Sequence, residues 1–222
     1  MIVFISGMPR SGSTFSFNVV RLVLARRGTV QAVTSEHSDG LLPKGQVDHV
    51  INKAHGADAR MIEMVKSGEA RSICTIRRPE DAILSCMYVF GRGLNETIET
   101  FGRWVDMYKH IAPHSLIVTL DKIETDPVGS ALEIGRYVCS DLTEAEAEEI
   151  AVALDKNKIK VATENLRQEH ARDVGFSYYD AETFFHRRHV SDREKFDRNP
   201  ELVDAIRKAV RSWTDERGDF CL

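Results

Sequence analysis

Residues 1–27 constrain the fold more than any other part of the chain. An apolar run over residues 2–6 leads through a turn containing Gly7 and Gly12 into residues 13–27, where Phe17, Val20 and Leu24 recur at helical spacing. A strand that passes directly into an amphipathic helix buries both apolar surfaces when the helix folds back over a sheet. The same alternation continues downstream. Residues 29–33 and 47–53 read as strands separated by a polar loop, residues 58–66 as a helix ended by Gly68, and residues 72–76 as another strand. Pro79 opens a helix to about Phe90; residues 94–111 read as a helix, 115–120 as a strand and 128–138 as a helix. Thr143 with Glu146 predicts a capping box for a helix through Leu154, and Asn199 with Pro200 the start of a last helix through Trp213. Between these two, residues 167–198 mix basic and aromatic side chains without a period and read as an irregular segment. The predicted fold is α/β in three layers, a central parallel sheet flanked by helices. At 222 residues, with no linker and no internal repeat, one domain over residues 1–222 suffices.

The turn itself carries chemistry. Gly7, Met8, Pro9, Arg10, Ser11, Gly12, Ser13, Thr14 has the spacing of the phosphate-binding pattern GxxxxGK[ST], but Ser13 stands where that pattern requires lysine. A loop of this shape aims backbone N–H groups at an anion, and the helix after it adds the partial positive charge of its N-terminal amides. The plainer reading is a strand-to-helix turn whose glycines serve only backbone geometry. Loss of the lysine weakens a nucleoside triphosphate reading and leaves the anion reading intact. Arg10, three positions earlier, supplies a cation from elsewhere.

Composition narrows the function. A formal net charge of -4 argues against a broad surface for nucleic acid or anionic membrane, so an anion site has to be a local basic pocket. Cys74, Cys86, Cys139 and Cys221 are far apart with no CxxC spacing, which argues against a zinc site or a disulfide framework. The histidines show no metal-ligand pairing, and no metal is expected. Residues 2–5 follow Met1 with no charged region and are too short for a secretory signal, and no later run approaches the eighteen or so apolar residues of a membrane span. The expectation is a cytoplasmic protein with no nucleic acid and no membrane as partner; its oligomeric state stays open.

Pro9, Arg10, Ser11, Gly12, Ser13, Thr14, Phe15 resembles the 5′-phosphosulfate loop of the sulfotransferases that use 3′-phosphoadenosine-5′-phosphosulfate (PAPS), commonly Pro, Lys or Arg, Ser, Gly, Thr, Thr, Trp. The resemblance implies that residues 10–15 hold the donor: Arg10 bridges the 5′-phosphate and the sulfuryl group, Ser13 and Thr14 hold phosphate oxygens with Ser11 and Gly12 in the same loop, and Phe15 takes the place of an adenine-stacking Trp. Arginine in place of lysine stays protonated, so it implies charge stabilisation and not proton donation.

Three further segments resemble the same family in the same order. Arg77, Arg78, Pro79, Glu80, Asp81 with Ser85 resembles the 3′-phosphate motif Arg-Asn-Pro-x-Asp followed by Ser, which implies phosphate contacts from Arg77 and Ser85. Without that order, the segment reads equally well as a helix start with Pro79 at its first position and two acids on the helix dipole. Lys53, Ala54, His55 resembles the Lys-Thr/Ser-His segment, implying that Lys53 contacts sulfuryl oxygens and His55 deprotonates the acceptor. Glu36, in the loop after the second strand, is the rival base, since other branches of the family use a glutamate there. Arg187 and Arg188 resemble part of the C-terminal segment that closes on the 3′-phosphate, without its glycines.

Together these imply a sulfotransferase that moves a sulfuryl group from PAPS to a hydroxyl or amine of a small-molecule or glycan acceptor. The alternatives are a P-loop kinase of a small molecule or nucleoside, and a nucleotide-binding module without chemistry.

Overall fold

The structure, a computed structural model, describes residues 1–164, 171–173, 178–180, 182–185 and 199–222. Its central sheet is built from β1 (Ile2–Ile5), β2 (Val30–Val33), β3 (His49–Lys53), β4 (Ala70–Ile76) and β5 (Ser115–Thr119), all parallel, in the order β2-β3-β1-β4-β5. The helices are α1 (Ser13–Ala25), α2 (Ala59–Lys66), α3 (Pro79–Phe90), α4 (Leu94–Ile111), α5 (Leu120–Thr125), α6 (Pro127–Val138), α7 (Glu144–Ala153), α8 (Lys156–Glu164) and α9 (Pro200–Val210). A separate antiparallel pair joins β6 (Ala171–Asp173) to β7 (Tyr178–Asp180).

Alternate side chains of the central strand enter opposite layers, as the two-residue period of a strand requires. Val3 and Ile5 join Ile51 and Ile73 in a core completed by Phe17 and Val20 of α1, Ile134 of α6 and Ile150 of α7. Phe4 and Cys74 enter a second core with Met61 of α2, Ile83 of α3, Trp104 of α4 and Ile206 of α9. Covered on both faces, β1 is apolar along its whole length, as the strands of parallel sheets are. The expected three-layer α/β architecture is present.

Local signals placed most elements within a few residues. The predicted capping box exists: Thr143 Oγ1 accepts from Glu146 N, and Thr143 N donates to Glu146 Oε2 at 2.9 Å. Asp58 caps α2 by accepting from Met61 N at 2.8 Å. Two helices were not anticipated. α5 is too short to show a period, and begins where Thr119, expected inside a strand reaching residue 120, accepts from Lys122 N instead. α8 is mostly polar, and its start rests on Asp155, whose carboxylate accepts from Asn157 N and Lys158 N. The last helix ends at Val210 and tightens into a 3-10 turn over Arg211–Trp213. No helix among the described residues is long and apolar enough to cross a membrane.

Candidate functional site

The sheet order brings the sequence motifs together. β1 is followed by a connection towards β2 and β3 on one side, and β4 by one towards β5 on the other, so the chain reverses its winding between β1 and β4. Ligands of open parallel sheets lie outside the carboxyl ends of the strands at such a reversal. Ile5 is in register with Lys53 of β3 and Ile73 of β4, which sets the loop after β1 between the two other strand ends.

The loop over residues 7–14 is held tightly from beneath. Met8 N donates to Thr75 O at 2.8 Å and Ser11 N to Met8 O at 3.2 Å. The Ser11 hydroxyl is fully buried, donates to Met8 O at 2.6 Å and lies 2.6 Å from Thr75 Oγ1. Ser11 therefore spends its side chain on the loop's own shape. A Cβ on Gly7 would meet Thr75 Oγ1 at 2.1 Å and Ser13 Cβ at 2.5 Å, so no other residue fits there. Gly7→Ala should cost about 1–3 kcal/mol through overpacking and open the loop, readable as a lower Tm together with weakened anion binding. Gly12 caps α1 with φ 91, which only glycine adopts freely, and offers no side chain to the first helical amides. Ser13 and Thr14 thus occupy a helix start with no acidic residue in its first turn, where a bound anion can complement the helix dipole. Phe15, half-buried, packs its ring on the core beneath α1.

Arg10 has φ 65, a conformation uncommon for a residue with a Cβ, in the loop that the surrounding contacts hold. Its Nε donates to Ser85 Oγ of α3 at 3.0 Å, so two residues assigned to different phosphate groups meet directly. Ser85 accepts that bond and keeps its own O–H to donate. Arg77, at the end of β4, donates from Nη1 to Arg10 O at 3.3 Å. Burial, and secondarily the Arg77 charge, lower the Arg10 guanidinium to about 10. Burial and then Arg10 bring Lys53 to about 8. Buried cations close to one another are relieved by an anion placed among them.

His55 is the neutral member of the group. Its Nδ1 donates to Gly7 O at 2.6 Å, which fixes the proton on that nitrogen and leaves Nε2 with a free lone pair. Burial, then Lys53 and to a smaller extent Arg10, push its pKa down to about 4, against the raising effect of the Gly7 bond. Glu36 is exposed and lies beside the next residue: a Cβ on Gly56 would stand 2.9 Å from Glu36 Cδ. Its loop is fixed to the same strand end, since Asp58 N donates to Glu36 O at 2.9 Å and buried Asn52 bonds both Ser35 N and Ser35 O. Both candidate bases therefore belong to one ledge at the end of β3.

Arg187 and Arg188 lie outside the described residues. Just before them, Asn18 Nδ2 donates to Thr183 O at 2.7 Å and Phe184 stacks on Phe17 with centroids 4.7 Å apart, docking that stretch on α1. Thr75 and Gly56 were not singled out from sequence; a threonine inside an otherwise apolar strand was the one available signal. Among the described residues no group of histidine, cysteine or acidic side chains could hold a metal ion.

Neither a protein-family model nor a curated protein sequence matches the chain. Solved structures do. A crystal structure of retinol dehydratase in complex with androsterone and the inactive cofactor PAP is 15% identical with a TM-score of 0.61, covering 95% of this chain and 80% of that one. Retinol dehydratase in a complex with retinol and PAP gives 14% identity and a TM-score of 0.60 over the same shares, 95% and 80%. Mouse sulfotransferase SULT7A1 complexed with PAP is 16% identical with a TM-score of 0.61, covering 98% of this chain and 86% of that one. The fold of this chain is that of the PAPS-dependent sulfotransferases.

Proposed function

We propose that the chain is a sulfotransferase that passes a sulfuryl group from PAPS to a hydroxyl or amine of a small-molecule acceptor. The observation that carries this reading is the meeting of Arg10, Lys53, Arg77 and a neutral His55 around a lysine-free anion loop at the reversal point of the sheet. The likeness to PAP-bound structures supports the donor, and the androsterone and retinol named in two of them support a small acceptor.

The donor supplies the sulfuryl group and departs as PAP. The α1 amides, with Ser13 and Thr14, would hold its 5′-phosphate, and Arg77 with the Ser85 O–H its 3′-phosphate. Arg10 and Lys53 would meet the negative charge that grows on the sulfuryl and leaving oxygens, where one lost donor costs roughly a hundredfold or more in rate. His55 would take the acceptor's proton on Nε2, its ring held in the required tautomer by Gly7 O. As the new S–O or S–N bond forms, the bond to the phosphate oxygen breaks and that oxygen keeps the electron pair.

The low Lys53 pKa has a signed consequence. Donor phosphates favour the ammonium, so the bound pKa lies above about 8, and binding takes up a proton as pH rises past that value. Donor affinity should fall with rising pH above about 8, and titration calorimetry in two buffers of different ionisation enthalpy should report the uptake. Affinity constant from pH 7 to 10 would remove Lys53 from the donor site.

A thermal-shift comparison of PAP with ATP and Mg²⁺, followed by transfer of labelled sulfuryl to an acceptor library, tests the reading. Preferential stabilisation by PAP and labelled product are expected. Preference for ATP with Mg²⁺ would make the chain a kinase, and PAP binding without transfer to any acceptor a binding module.

A further inference from the structure

Both anion motifs are braced from one place, the stretch that follows α9. Residues 214–220 form a tight hairpin: Thr214 and Phe220 make an antiparallel bridge, Asp215 N donates to Asp219 O at 2.9 Å, and Gly218 turns the chain with φ 77. The Asp215 carboxylate accepts from Arg217 N and Asp219 N, both at 2.9 Å, so the turn is fixed by its own side chain.

The hairpin reaches the site by two routes. Phe220 packs on Trp104 and Tyr108 of α4, with centroids 5.4 Å and 5.1 Å apart. Trp104 is fully buried, and its Nε1 donates to Ser6 O at 3.0 Å, one residue before Gly7. That bond occupies the carbonyl at which the chain leaves β1 for the anion loop, while Ser6 N continues the ladder to Ile73 O. By the second route, Arg78 donates from Nη2 to Arg217 O at 3.0 Å and lies 3.5 Å from Asp219 Oδ1. Arg78 adjoins Arg77, so the turn that aims Arg77 is tied to the same hairpin. Both Arg78 and Asp219 are exposed, so the pair contributes little by itself, and the Trp104 route carries more of the coupling.

We propose that the hairpin of residues 214–220, acting through Trp104 on Ser6 and through Arg78 on Arg77, is a positioning element for the donor site. A packed aromatic relay transmits displacement because buried side chains have few alternative arrangements. This assignment rests on the donor reading above.

Trp104→Phe removes the N–H and keeps a ring against Tyr108 and Phe220; Phe220→Ala undocks the hairpin, and Phe220→Tyr restores a ring. Thr143→Ala, at the α7 cap, serves as a destabilised control away from the site. Each variant is measured for Tm, for PAP affinity by calorimetry, and for amide exchange over residues 6–14. Trp104→Phe and Phe220→Ala should weaken PAP binding about tenfold and speed exchange of the loop, the loss expected for about one hydrogen bond. Phe220→Tyr should return both towards wild type, and Thr143→Ala should lower Tm alone. PAP affinity and loop exchange in Trp104→Phe equal to those of the control would overturn the proposal, and if Phe220→Ala does not fold, Trp104→Phe decides. A wild-type chain that binds no PAP overturns the donor reading instead, and loop exchange still decides the coupling.

Discussion

Replacement of His55 by alanine is expected to lower kcat by about 10²- to 10⁴-fold, the range for removal of a positioned general base. Affinity for PAP should change by no more than about threefold, under 1 kcal/mol. The ring is neutral at physiological pH, since burial and the neighbouring Lys53 hold its pKa near 4, so its removal takes no charge from the donor. The same depression places the acid limb of the kcat/KM profile near pH 4 and not near the ordinary histidine value of about 6.5. The rival explanation is mechanical, because His55 Nδ1 also supports the anion loop through Gly7 O. A loss of PAP affinity as large as the loss of kcat would make the ring a loop brace. Glu36→Gln closes the comparison: its carboxylate lies against Gly56, the residue after His55. Turnover abolished by Glu36→Gln and retained in His55→Ala would move the base to Glu36.

Arg77→Ala should weaken PAP by about 10- to 100-fold, the worth of one or two charge-assisted hydrogen bonds, while a nucleotide lacking the 3′-phosphate loses less than about threefold. Selectivity is the measurement that matters. Arg77 also donates to Arg10 O, so part of any loss comes through the loop. That part is common to both nucleotides and cancels in their ratio. Equal losses would leave Arg77 only the loop-supporting role. Arg77→Lys keeps the charge but loses the planar fork, and should fall between wild type and alanine.

The predicted elements and the three motifs were legible because each depends on few adjacent residues. Strand and helix periods, the Thr143 cap, and the Gly7 to Gly12 spacing are local properties of backbone and side-chain geometry. α5 and α8 escaped for the same reason: a six-residue helix is too short to show a period, and a mostly polar one shows no apolar stripe.

What the sequence alone determined was an α/β chain whose first loop suits an anion and whose Lys53, His55, Arg77 and Ser85 belong to motifs in a recognisable order. The tertiary structure decided how they act on one another. Arg10 meets Ser85 across 75 residues, His55 meets Gly7 across 48, and Trp104 reaches Ser6 across 98. These contacts exist because β1 lies between β3 and β4, a pairing that depends on burying both sheet faces and not on any single segment. The Gly7 contact sets the tautomer of His55, and burial with neighbouring charge sets the lowered pKa values of His55, Lys53 and Arg10, since desolvation and Coulomb interactions depend on distance in space and not on distance along the chain.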